Sequence, residues 1–110
     1  MKILSWNIRG IFGKVEEQYS NKLKIKHVEN LLQKYDVIFL QETHLEQKKI
    51  ADVYVTGFKS IHYCRPKRKK ASSASGGISV FMKEEYREKV KLLPQNNPDV
   101  VWMHIFGKKK

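Results

Sequence analysis

The sequence is short of several things. It has one cysteine in 110 residues, Cys64, which excludes an internal disulfide framework and fits a reducing compartment. Beside Tyr63, Arg65 and Lys67 that thiol reads either as a passenger at a strand end or as a mildly activated group. No apolar run approaches the length of a membrane span, and the N-terminus lacks a signal peptide's apolar core and small-residue cleavage site. The expected location is therefore intracellular, nuclear or cytoplasmic. Internal repeats and linker-like stretches are absent, so the chain is at most one domain. Acidic residues are scarce, 11 against 22 basic ones, for a net charge of +11.

What is there fits a folding chain. The 41% apolar and 11% aromatic content lies outside the disordered range. The charge is uneven: residues 1–55 hold 9 Lys/Arg and 7 Asp/Glu, whereas residues 56–110 hold 13 and 4. A basic surface of this kind favours polyanions, because each neutralised phosphate releases counterions. Nucleic acid is the expected partner. Binding to an anionic membrane would ordinarily ride on an amphipathic helix, and the basic half has no such pattern.

Ile3 to Asn7 reads as a strand, and Arg9-Gly10 with Gly13 marks a turn. Residues 14–21 are polar and expected as loop, with Ser20 or Asn21 available as an N-cap. From Lys22 the period becomes helical: Ile25, Val28, Leu31, Leu32 and Tyr35 fall on one face. Asp36 ends the helix, and Val37-Ile38-Phe39-Leu40 follows without alternation, as in a strand covered on both faces. Strand, helix, strand predicts a βαβ unit with parallel strands. Residues 45–53 suggest a short helix, and Phe58–Tyr63 a strand. Arg65 to Gly77 is a basic run passing into small residues, expected as an exposed, mobile loop. Gly77–Lys83 alternates and predicts a half-buried strand; Glu84–Glu88 a charged turn; Val90 and Leu92 another strand. A turn at Pro94–Asp99 precedes a last strand over Val100–Phe106. The class is mixed α/β or α+β: a βαβ start followed by mainly antiparallel strands.

Parallel strands end at the same sheet edge, where open α/β sheets bind ligands. Asn7 and Glu42 stand there, 35 positions apart. Singly, an Asn at a strand end is a turn residue and a Glu a solvated end; together they make a candidate ligand pair.

Three motifs carry a resemblance: Ile3-Leu4-Ser5-Trp6-Asn7-Ile8-Arg9-Gly10, then Asp36-Val37-Ile38-Phe39-Leu40-Gln41-Glu42-Thr43-His44, then Gly76-Gly77-Ile78-Ser79-Val80-Phe81. In this order they resemble the endonuclease/exonuclease/phosphatase superfamily, with wording closest to the endonuclease domains of non-LTR retrotransposons. The resemblance implies a four-layered α/β-sandwich, of which residues 1–110 are about the N-terminal half. It implies that Glu42 binds Mg²⁺ (or Mn²⁺) and that Asn7 positions the scissile phosphate or metal-bound water. The family's later motifs, a Tyr-bearing strand, Asp-x-Asn and Ser-Asp-His, do not occur in these residues.

Phosphodiester hydrolysis needs an attacking water, neutralised phosphoryl oxygens and a stabilised leaving oxygen. Mg²⁺ takes hard oxygen ligands and keeps several waters on one or two carboxylates, which suits Glu42. Asn7 can donate to a phosphate oxygen without adding repulsion. His44, two residues beyond Glu42, is of the residue type most used as a base near neutral pH, although the resemblance places the catalytic His elsewhere. His27, His62 and His104 have no metal-ligand spacing and are expected to be structural. Arg9, Lys67, Arg68, Lys69 and Lys70 are candidate nucleic-acid contacts, DNA being favoured; the lysine run could equally be a solvated loop. Trp6 and Trp102 are expected in the core. The expectation is a metal-dependent nuclease domain inactive on its own, with a chain or segment completing the sandwich. The alternatives are a basic binding module without catalysis and a non-functional gene fragment.

Overall fold

The computed structural model describes residues 1–15, 18–65, 76–93 and 103–105. Its centre is a four-stranded mixed sheet of β1 (Ile3–Asn7), β4 (Val37–Gln41), β6 (Ile78–Lys83) and β5 (Phe58–Tyr63), in that spatial order. β1 and β4 are parallel, in register from Ile3 opposite Val37 to Asn7 opposite Gln41. β6 runs antiparallel to both β4 and β5. Between β1 and β4 come a hairpin of β2 (Phe12–Val15) and β3 (Gln18–Asn21) and the helix α1 (Lys26–Leu32). β7 (Val90–Leu92) and β8 (Met103–Ile105) form a separate antiparallel pair. The fold is α/β, as the motifs implied.

Strand alternation sorts the core into two layers. Ile38, Leu40 and Phe81 point to the helix side, where they meet Leu23, Val28 and Leu32. Val37, Val80 and Met82 point the other way and pack with Val90, with Leu92 and Met103 at the margin. Burying a residue such as Phe81 completely contributes about 1.5–3 kcal/mol of transfer free energy. Trp6 packs half-buried on the helix-side core, as expected; Trp102 lies outside the described residues.

Four expectations are corrected. The polar stretch 14–21 is mostly strand, because β3 pairs with β2 through backbone groups that composition does not reveal. The helical run opening at Lys22 is interrupted: Lys22–Lys24 is a 3-10 turn capped by Asn21, whose Oδ1 accepts from Leu23 N at 3.0 Å. Ile25 is extended, and α1 starts after it. Leu31 is 41% exposed, since it lies about 100° around the helix from Leu32. β6 is buried on both faces because the helix-side core covers one and the cluster around Val90 the other, so its alternation separates two cores rather than core from solvent.

The expected short helix over 45–53 is the 3-10 segment Gln47–Asp52. Most of the basic loop from Arg65 to Gly77, including Lys67, Arg68, Lys69 and Lys70, lies outside the described residues. Among the described residues no helix is long and apolar enough to cross a membrane.

Candidate active site at the strand ends

The register brings the carboxyl ends of β1 and β4 level, as parallel pairing requires. Beyond the strands the backbones stay joined: Gln41 O accepts from Ile8 N at 3.0 Å, Glu42 O from Gly10 N at 2.7 Å, and Thr43 O from Ile11 N at 3.0 Å. On the other side Thr43 N donates to Gly77 O at 3.2 Å and His44 N to Gly76 O at 2.8 Å. The edge is therefore a rigid junction of three chain segments.

This junction is strained. Arg9, Glu42 and His44 have φ of 52°, 51° and 51°, a left-handed conformation that costs most residues about 1 kcal/mol or more. All three lie at this one edge. A positive φ at Glu42 breaks the strand's alternation, and the carboxylate shares a cavity of ≈ 350 Å³ with Gln41, Arg65, Gly76, Gly77 and Ile78. Glu42 is exposed, and no cation is paired with it among the described residues.

Asn7 is exposed one strand away, and its Oδ1 accepts from Arg9 N at 3.2 Å, making an Asx turn. That bond needs an acceptor, so the amide nitrogen is the group directed elsewhere as a donor. Asn7 does not line the Glu42 cavity. Arg9 is exposed beside it. The Ile8–Arg9 turn is braced by Lys22, whose Nζ donates to Ile8 O at 3.0 Å and Arg9 O at 3.3 Å.

His44 is half-buried against the Gly10 turn; a Cβ on Gly10 would sit 3.3 Å from its Nδ1. Under it Thr43 is 1% exposed, and its Oγ1 has no hydrogen-bond partner among the described residues. His62 lies on the helix-side face, its Nδ1 2.6 Å from Ser79 Oγ and its Nε2 3.2 Å from Ser60 Oγ, edge-on to Phe81. Burial lowers the His62 pKa below its ordinary value. His27 and His104 are exposed. Burial pushes the Cys64 thiol up, which removes the reading of Cys64 as an activated nucleophile.

A larger hollow of ≈ 400 Å³ lies between β5 and β7, with Ile61, Met82, Val90 and Leu92 among its walls. Lys59, Arg87, Glu88 and Lys91 line it beside these apolar residues, and it holds no pair of ligand-type side chains at strand ends. The smaller cavity is the one that holds the motif residues.

The family model of the endonuclease/exonuclease/phosphatase family matches residues 4–107. This chain belongs to that family. Among solved structures it is similar to the Xenopus laevis APE2 catalytic domain, at 25% identity and a TM-score of 0.52. The match covers 83% of this chain and 26% of that one, so the chain spans about a quarter of the length of the APE2 structure. No match was found among curated proteins. For an endonuclease/exonuclease/phosphatase domain, the edge bearing Asn7, Glu42 and Gly76-Gly77 is the natural place to look for chemistry. Sequence reasoning missed Arg65 as a neighbour of Glu42; the signal was the short interval between Tyr63 and the basic run.

Proposed function

We propose that these residues form the metal- and phosphate-binding edge of a phosphodiesterase acting on nucleic acid, with Glu42 as the carboxylate ligand of Mg²⁺ or Mn²⁺ and the Asn7 amide as a hydrogen-bond donor to phosphate. The observation that carries this reading is the inverted backbone at Glu42, which sets a carboxylate in a cavity at the shared end of two parallel strands. The donor set suits a hard cation, since one carboxylate plus waters is a common Mg²⁺ arrangement. No group of three His, Cys, Asp or Glu side chains converges among the described residues, so a zinc-type cage is not supported there. When bound, the cation would neutralise phosphoryl charge. The chain's own part is to hold that cation at Glu42 and to donate from the Asn7 amide.

The general base is not among the groups at this edge. His44 packs on Gly10, and His62 is held between two serines on the sheet's other face. The groups that activate water and assist the leaving oxygen are proposed to come from outside these 110 residues, which alone should nick DNA weakly or not at all. Motif wording favours the retrotransposon-type branch of the family.

Mn²⁺ titration followed by electron paramagnetic resonance tests the metal side. Glu42→Gln should weaken binding by about tenfold or more; unchanged Mn²⁺ affinity would refute the assignment. Robust, Glu42-dependent nicking of plasmid DNA by the 110 residues with Mg²⁺ would overturn their inactivity. A second reading, a basic nucleic-acid-binding module without catalysis, is supported by the 13 basic residues against 4 acidic over residues 56–110. It predicts steeply salt-dependent binding that Glu42→Gln leaves unchanged but that neutralising Lys67, Arg68, Lys69 and Lys70 weakens.

A further inference from the structure

We propose that Arg65 is the second wall of a phosphate seat whose first wall is Glu42, so that a nucleic-acid phosphodiester lies between the guanidinium and a cation held on the carboxylate. The inference deepens the function proposed above and rests on it for the Glu42 side alone. Glu42 follows β4 by one residue, and Arg65 follows β5 by two. β6 runs between them, with Ile78 opposite Gln41 on one side and Tyr63 on the other. Neighbouring strands lie about 4.8 Å apart, so the two strand ends are separated by about 10 Å. With both side-chain stems rising from the sheet edge rather than across it, a carboxylate, a cation, a phosphate and a guanidinium in line take up about that length.

The strand between is entered through Gly76 and Gly77, which bring no side chains into the gap. Both glycines, Glu42 and Arg65 line the same ≈ 350 Å³ cavity. Residues of opposite charge thus line one cavity, to which the two glycines contribute backbone alone. A planar guanidinium suits this position because its fork matches two phosphate oxygens at once, while a lysine offers only a point charge. Arg65 is half-buried, which limits the freedom lost when it engages an anion. The alternative role for an arginine here is to offset the Glu42 charge, and the two roles predict different behaviour.

The test uses the 110-residue chain and a short fluorescein-labelled DNA duplex, with anisotropy read over a sodium chloride series at a fixed, low Mg²⁺ concentration. Arg65→Gln should weaken binding about tenfold at low salt and reduce the log–log salt slope by about one. Lys34→Gln, on the exposed end of the helical segment, removes the same charge and should change both far less. Arg65→Lys should restore the slope without the full affinity. Mn²⁺ affinity, measured without DNA, should be unchanged or tighter in Arg65→Gln. DNA affinity and slope equal to those of the unmodified chain would overturn the proposal, as would an effect no larger than that of Lys34→Gln. Tighter Mn²⁺ binding with unchanged DNA affinity would assign Arg65 to offsetting Glu42. Failure of the Glu42 reading is seen separately, as an Mn²⁺ affinity indifferent to Glu42→Gln.

Discussion

Replacing Gly77 by alanine probes the junction behind Glu42. Gly77 has φ of 91°, and a Cβ placed on it would lie 2.7 Å from Thr43 Oγ1 and 3.3 Å from Tyr63 O. Two costs follow. The backbone term, for a side chain held in a glycine conformation, is about 1–3 kcal/mol. The steric term is added because Thr43 is 1% exposed and cannot swing aside; overpacking of this kind costs about 1–3 kcal/mol more. The sum, about 2–6 kcal/mol, is a large share of the roughly 5–15 kcal/mol that holds a domain folded. Gly57 supplies the control, since its φ is 84° but no atom lies within 4 Å of its Cβ position. Gly57→Ala should show the backbone term alone. Urea denaturation of both variants measures the difference, and at an m of about 2 kcal/mol/M the midpoints should differ by roughly 0.5–1.5 M. In a Thr43→Ala background the steric share should shrink, because the clashing oxygen is gone. Equal midpoints for Gly77→Ala and Gly57→Ala would refute the close packing of Gly77 on Thr43.

Two further predictions concern pH. Asp36 accepts from Lys2 N at 2.7 Å and lies 3.5 Å from Lys83 Nζ, and these contacts hold its carboxyl below the usual value of 3.8. A depressed carboxylate contributes stability that is present above pH 3.8 and lost as pH falls through the folded value. Asp36→Asn should therefore be less stable than the parent chain at pH 7, with the gap closing in denaturation curves as pH falls below 3.8. His62 is the reverse type of group, a base kept neutral by burial, with a pKa below the ordinary 6.5. The unfolded chain binds its proton first, so stability is full above pH 6.5 and declines as pH falls. His62→Gln should flatten that decline, and an unaltered profile between pH 6.5 and 4.5 would exclude His62 as its source.

Much of this architecture is legible from local pattern. The unbroken run Val37–Leu40 marks a strand with both faces covered, and the apolar steps before it mark a crossover helix. Together they put Asn7 and Glu42 at one edge. Other features depend on pairing that no local pattern encodes. β3 is polar and held by backbone bonds, so composition hides it. β6 alternates like a half-exposed strand because the alternation sorts its side chains between two cores. Arg65 reads as the first member of a basic run; only the strand order β4-β6-β5 makes it a neighbour of Glu42. The inverted backbone at Glu42 is the least legible feature, since glutamate does not favour that conformation.

That inversion bears on how such a chain changes with time. A left-handed φ at position 42 favours glycine or asparagine, so the carboxylate is kept there against the backbone's own preference. Glu42→Gly should raise stability by up to about 1 kcal/mol while removing the proposed metal ligand. On the proposed metal role, a relative under no demand for catalysis has a downhill route to lose Glu42, and one that keeps it carries a built-in cost. The residue at this one position would then mark, in sequence alone, whether a relative is held to the proposed chemistry.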